Sequence, residues 1–275
     1  MSKITDYSAA SRFDNADVLL KDGTNGTKKI LATDAASEFA GMVSAINHRN
    51  VYRGKNLGTS VSSAQKAAIQ SGSFDDLFIG DYWVINGVTW VIADMDYFYN
   101  CGDTAFTNHH LVIVPDSTLY DAQMSESTSF DGHGYVSSKM HTNNLDSAKA
   151  TIAEAFGDMV LSHRDYLTNS VTNGYPSSGD WYDSTVDLMN EIMVYGAYML
   201  TPANTGSNYG VARFTVAKQQ LALFALNPRA INNRTSFWLR DIVNEHHYAF
   251  VSESGWAVSN ISTASIGVRP EFCIG

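Results

Sequence analysis

Ser236-Phe237-Trp238-Leu239-Arg240-Asp241 and Gly267-Val268-Arg269-Pro270-Glu271-Phe272 decide how this chain is read. They are two anchors bracketing a segment, Ile242 to Ile266, with neither strand alternation nor helical spacing. That segment is rich in Asn, His, Tyr, Ser and Trp. Such side chains combine apolar area with adaptable hydrogen bonding, as contact surfaces require. The segment therefore points to binding rather than to catalysis.

Working outward, the chain of 275 residues is 44% hydrophobic and only 17% charged, enough to fill one large core with room for a small appendage. Its formal net charge of −10 argues against nucleic acid or an anionic membrane as partner, because both need a basic footprint. Met1 to Tyr7 lacks the apolar core of a signal peptide, and no apolar run is long enough to span a bilayer. Cys101 and Cys273 form neither a metal-type pair nor a disulfide framework. The expectation is a soluble protein made in a cytoplasm, with no membrane insertion.

Residues 1–50 differ from the rest. Ala16 to Leu20 and Lys28 to Leu31 read as strands around the turn dipeptides Asp22-Gly23 and Asn25-Gly26. Thr33 or Asp34 then caps a helix whose stripe is Ala35, Phe39, Met42, Val43 and Ile46. A hairpin and one amphipathic helix are too small to bury that stripe, so it must dock on the larger domain, a copy of itself or another protein. Phe39, Met42, Val43 and Ile46 are the candidate docking residues.

Residues 51–275 form the main body. Asn47 to Thr59 reads as a connection and Ser62 to Gln70 as a short helix. Tyr82 to Ile85, Asn86-Gly87 and Val88 to Ile92 predict a tight hairpin with a type I′ turn. His110 to Val114 is a strand stopped by Pro115, and Asp116 to Asn144 a polar surface excursion. A helix capped by Asp146 runs to Phe156 and ends at Gly157. A second helix is expected from Ser184 to Leu200, with Val186, Met189, Met193 and Gly196 on one face. Gln220 to Leu226, Phe237 to Leu239, Tyr248 to Val251 and Gly267 to Ile274 read as strands. The inventory is α+β: short antiparallel strands, two main helices and long loops, without βαβ rhythm.

A search for chemistry finds no pattern. His109-His110 and His246-His247 are adjacent pairs, which on a strand point to opposite faces. A metal site from His109, His163 and His246 has no spacing to support it, and no HExxH, CxxC or Gly-x-Ser-x-Gly signature occurs. Asp94, Asp96 and Asp103 lack the acidic loop of an EF-hand and read as solvated loop acids. Gly132-His133-Gly134 lacks the strand–loop–helix setting of a phosphate cradle. The expectation is no catalytic residue, no metal and no cofactor.

The closing blocks, together with Tyr248-Ala249-Phe250-Val251 and Gly255-Trp256-Ala257-Val258, resemble one group of C-type-lectin-like domains. That group shares its architecture with the formylglycine-generating enzyme and with retroelement-diversified phage proteins. The resemblance is clearest over about residues 75–275. It implies that Trp238, Arg240, Arg269 and Pro270 are structural anchors. Asn244, Glu245, His246, His247, Tyr248, Glu253, Ser254, Trp256, Asn260 and Thr263 would then be contact residues. The enzyme's paired cysteines and the calcium-dependent sugar signature of true lectins have no counterpart. Ile4 to Tyr7 and Asp17 to Ile30 are similar to leader segments of tailed-phage virion proteins, including head and tail fibres. The combined expectation is a structural protein on the virion surface, made in the bacterial cytoplasm. It would be a homotrimer attached to other virion proteins through its N-terminal segment, and it would bind a host-surface ligand. The alternatives are an enzyme of the formylglycine-generating type and a capsid cement protein.

Overall fold

Two Asn-Gly dipeptides set the framework, because a type I′ turn needs positive φ at both central residues. Asn86 and Gly87 adopt φ of 52° and 79°, and Asn173 and Gly174 adopt 53° and 82°. In the computed structural model, residues 48–129, 133–201 and 219–275 are described in full, with the backbone alone of 18–21 and 28–31. Those two short stretches, β1 (Val18–Lys21) and β2 (Lys28–Leu31), pair antiparallel as the turn signals predict. The docking residues Phe39, Met42, Val43 and Ile46 lie outside the described residues.

The hairpin over Asn86-Gly87 joins β3 (Tyr82–Ile85) to β4 (Val88–Met95). It belongs to a six-stranded sheet ordered β10-β15-β5-β4-β3, with β7 (Val160–Leu161) also on β15. There β5 is Leu111–Pro115, β10 is Val186–Leu188 and β15 is Pro270–Ile274. The second sheet has five strands in the order β13-β12-β11-β14-β6. These are β6 (Tyr120–Gln123), β11 (Phe237–Asn244), β12 (His247–Val251), β13 (Ala257–Ile261) and β14 (Ser265–Val268). The long hairpin β8 (His163–Thr172) and β9 (Tyr175–Ser184) turns at Asn173-Gly174 and, among the described residues, pairs only with itself.

Helix α1 (Ser63–Gln70) begins as expected, with Ser62 and Gln65 forming a reciprocal capping box. Helix α2 (Asp146–Phe156) starts one residue after the cap position, which Leu145 occupies, so Asp146 serves in the first turn instead. Its Phe156 ring meets Trp90 at 5.6 Å and Phe272 at 5.2 Å, while Trp90 and Phe272 meet at 5.5 Å. This aromatic triangle ties α2 to the centre of the six-stranded sheet.

Four expectations are corrected. The helix foreseen over Ser184 to Leu200 shrinks to α3 (Glu191–Tyr195). Val186 and Leu188 are strand partners of Phe272 and Pro270, and extended Asn190 caps α3 by accepting from Met193 N at 2.8 Å. The strand expected over Gln220 to Leu226 is helix α4 (Ala222–Leu226). A short apolar run does not separate the two states by period, and Leu and Ala favour helix. The excursion from Asp116 to Asn144 contributes β6 and buries Met124, Tyr135 and Met140. The segment Ile242 to Ile266 is no irregular stretch, since β12 and β13 lie wholly within it. Its period was hidden by register shifts in β11 and by two tight turns.

What stands plainly is an α+β body, mostly antiparallel, with helices few and short. The connection from 48 to 59 is bound into it. Arg49 forks onto buried Asp94 at 2.5 and 2.9 Å, and Arg53 reaches Asp81 at 2.6 Å. His48 and Arg49, assigned by sequence to the leader, thus contact the body.

Candidate functional site: the turns of the C-terminal meander

The two closing anchors are interior. Trp238 is fully buried and donates its indole N–H to Ala122 O at 2.8 Å. Arg269 sits where β14 passes into β15, so it joins the two sheets. It donates from Nε to Pro115 O and from Nη1 to Ala230 O, each at 2.9 Å, between the rings of Phe224 and Phe237. Burial pulls its pKa down to about 10. Pro270 is also buried. Arg240 is buried among carboxylates, 2.5 Å from Asp165.

Between these anchors the predicted contact residues separate into three groups. The β11–β12 turn holds Asn244, Glu245, His246 and His247, all half-buried. Asn244 Oδ1 accepts from the backbone N–H of His246 at 2.9 Å and of His247 at 3.1 Å, an Asx-type turn. His246 Nδ1 lies 2.7 Å from Thr128 O, and its Nε2 lies 3.2 Å from Glu245. The β12–β13 turn, at the other end of β12, exposes Glu253, Ser254 and Trp256. Trp256 is 72% exposed, the most exposed large apolar side chain among the described residues. Asn260 and Thr263 are half-buried and serve the backbone: Asn260 Oδ1 accepts from Ile261 N, and Thr263 O accepts from Gln123 Nε2.

Tyr248 is corrected. It is fully buried on the inner side of β12, and burial raises its pKa far above the ordinary tyrosine range. Partly exposed Phe250 instead packs on Trp238 at 5.8 Å. The two turns do not form one patch, because five strand residues separate them by about 16 Å.

The Trp256 turn is held firmly. Gly255 N donates to Ser252 O at 2.8 Å, Trp256 N donates to Ser252 Oγ at 3.1 Å, and Tyr195 donates to Gly255 O at 3.2 Å. Gly255 has φ of 81°, and a Cβ there would lie 3.1 Å from Asn232, so only glycine fits without strain. Asn232 adjoins Asn233, which lines a cleft of about 470 Å³ with Tyr52, Tyr82, Asp116, Asn227 and Arg229. Sequence reasoning missed this cleft. Its residues come from four stretches of the chain, and no spacing in the sequence links them.

The loop acids are corrected in part. Asp94 is buried rather than solvated, accepting from Arg49, Met95 N and Ala222 N; burial raises its pKa and Arg49 opposes the rise. Asp96 binds His109 and the N–H of His110, and Asp103 pairs with Arg164 at 2.7 Å. Each is engaged by protein cations or N–H groups. His109, His163 and His246 are not brought together. Cys101 and Cys273 are buried, with no disulfide between them. No family model, curated protein or solved structure matches the chain.

Proposed function

We infer that this chain is a display module: a C-type-lectin-like body, carried on a phage virion by its N-terminal segment, that binds a host-surface ligand through the Trp256 turn. The observation that carries the reading is Trp256 itself, exposed on a turn pinned by Ser252, Gly255 and Tyr195. Exposed tryptophan on a rigid support is the residue most enriched at the centre of binding sites, because it offers large area with little entropy to lose. The cleft beside Asn232 supplies adjacent polar donors and acceptors. The virion setting rests on the sequence resemblance of the leader and closing blocks. A homotrimer would add avidity to weak single contacts.

The test is binding of the labelled full chain to host cells, compared with Trp256→Ala. The expected result is a loss of about 30-fold, equivalent to the roughly 2 kcal/mol of an aromatic hot spot, with unchanged thermal stability. Equal binding by the variant would remove the turn from the site. Binding to purified capsids but not to cells would favour the cement-protein alternative.

A further inference from the structure

We propose that His163, Asp165 and Glu271 form a buried site for one divalent first-row transition ion, which clamps the β8–β9 hairpin to the six-stranded sheet. His163 and Asp165 stand two apart on β8 and so share a face, while Glu271 lies on β15. One ligand atom of each lies within 4.8 Å of the others, and all three side chains are buried.

The observation that points to a ligand is what these atoms fail to bond. Among the described residues, neither ring nitrogen of His163 and neither carboxylate oxygen of Glu271 has a hydrogen-bond partner, although the residues are 3% and 0% exposed. Nine in ten or more buried polar groups in native proteins find a partner, so unpaired imidazole and unpaired carboxylate together in one place call for an explanation. Neighbouring Asp187 shows the contrast: its oxygens accept from Tyr135 at 2.9 Å and from Ser184.

Charge argues the same way. Asp165, Asp187 and Glu271 face a single guanidinium, Arg240, which is 2.5 Å from Asp165 and 3.9 Å from Glu271. Three carboxyl groups gathered around one guanidinium make an oxygen-rich buried site that a divalent ion would hold in its ionised form.

One nitrogen with two carboxylates suits zinc, iron(II) or manganese(II). Calcium prefers six to eight oxygens, which this site does not offer. The site is structural rather than catalytic, since all its members are buried. It would add to what already holds the hairpin, which joins neither large sheet by strand pairing but buries Leu167 and Val171 and is tied to β11 by Asp165 and Arg240.

The test uses the full chain, unfolded, stripped with chelator, and refolded with chelator or with Zn²⁺, Mn²⁺ or Fe²⁺. Bound metal is measured after gel filtration, and melting temperature by calorimetry. The expected result is one ion per chain and a rise in Tm of about 5–10 °C, as for a ligand near a hundredfold over its Kd. Glu271→Gln and His163→Phe should each cut retained metal at least tenfold, while His109→Gln at the Asp96 pair should not. Wild-type chain that retains no ion and melts alike in chelator and metal overturns the proposal, whatever the variants do. So does metal retained equally by Glu271→Gln and His163→Phe, or a Glu271→Gln variant that only gains stability, which would mark Glu271 as a neutral acid.

Discussion

Replacing Arg269 by lysine keeps the positive charge and nearly the length, yet it should cost the fold several kcal/mol. The guanidinium donates at once to Pro115 O at the end of β5 and to Ala230 O in a short helical turn. It also lies 5.5 Å from the centre of Phe224 and 5.0 Å from that of Phe237. A lysine ammonium is a point donor without the planar fork. It can satisfy one carbonyl, leaving the other buried without a partner, which costs about 1.5–3 kcal/mol when the lost donor is charged. Losing the flat cation between two rings adds about 0.5–2 kcal/mol. The sum is about 2–5 kcal/mol, read as a lower urea midpoint at unchanged slope. A midpoint for Arg269→Lys within about 0.5 kcal/mol of wild type would refute the reasoning, because it would mean that the fork is not needed at this junction.

The buried histidines should each let acid weaken the fold below about pH 6.5, against Asp94, Asp165 and Glu271, whose raised pKa makes the folded state hold protons more tightly. His110 Nε2 accepts from Phe98 N at 3.1 Å and its Nδ1 faces Asn108 O at 2.9 Å, an arrangement that only the neutral ring satisfies. Burial lowers its pKa below 6.5, against the pull of Asn108 O and of nearby Asp96, with His109 adding to the lowering. The unfolded chain then takes up the proton first, so stability is whole above 6.5 and falls as pH drops. In chelator, His163 acts in the same sense down to about pH 3. Each contributes up to about 1.4 kcal/mol per pH unit, and His110→Asn should lose less stability than wild type as pH is stepped down below 6.5 in urea titrations. Phe156→Ala, which empties the corner between Trp83, Trp90 and Phe272, should cost about 3–5 kcal/mol in the same assay.

Much of the body was legible where a local rule determines the structure. Asn86-Gly87 fixed its hairpin because the dipeptide fits the turn, and Ser62 with Gln65 fixed the start of α1. Asn173-Gly174 carries the same turn signal, and reading it would have revealed the β8–β9 hairpin. Failures came where non-local pairing overrides local preference. Val186, Met189 and Met193 keep helical spacing, yet Val186 is claimed by Phe272 on a strand far along the chain. The candidate contact surface was legible as composition but not as geometry. Nothing in His247-Tyr248-Ala249 says that Tyr248 and Ala249 are both fully buried, because covering both faces of β12 depends on neighbours distant in the chain. The buried acids were invisible for a similar reason. Asp165 and Glu271 look like surface residues until β8 and β15 meet.

The division of labour along the closing segment follows from this. Its inward residues, Ile242, Tyr248, Val251, Ile266 and Val268, are buried, and Arg269 fastens the next strand to the other sheet. Its outward residues concentrate in the turn from Ser252 to Trp256, whose backbone is held by its own hydrogen bonds and by Tyr195. Side chains at Glu253, Ser254 and Trp256 therefore bear little of the folding energy, while their backbone positions are fixed before any partner arrives. A surface of this kind can change its chemistry without changing its shape. That property is what the proposed contact site needs, and it makes substitution tolerable at the turn but not at buried Tyr248 or Ile266.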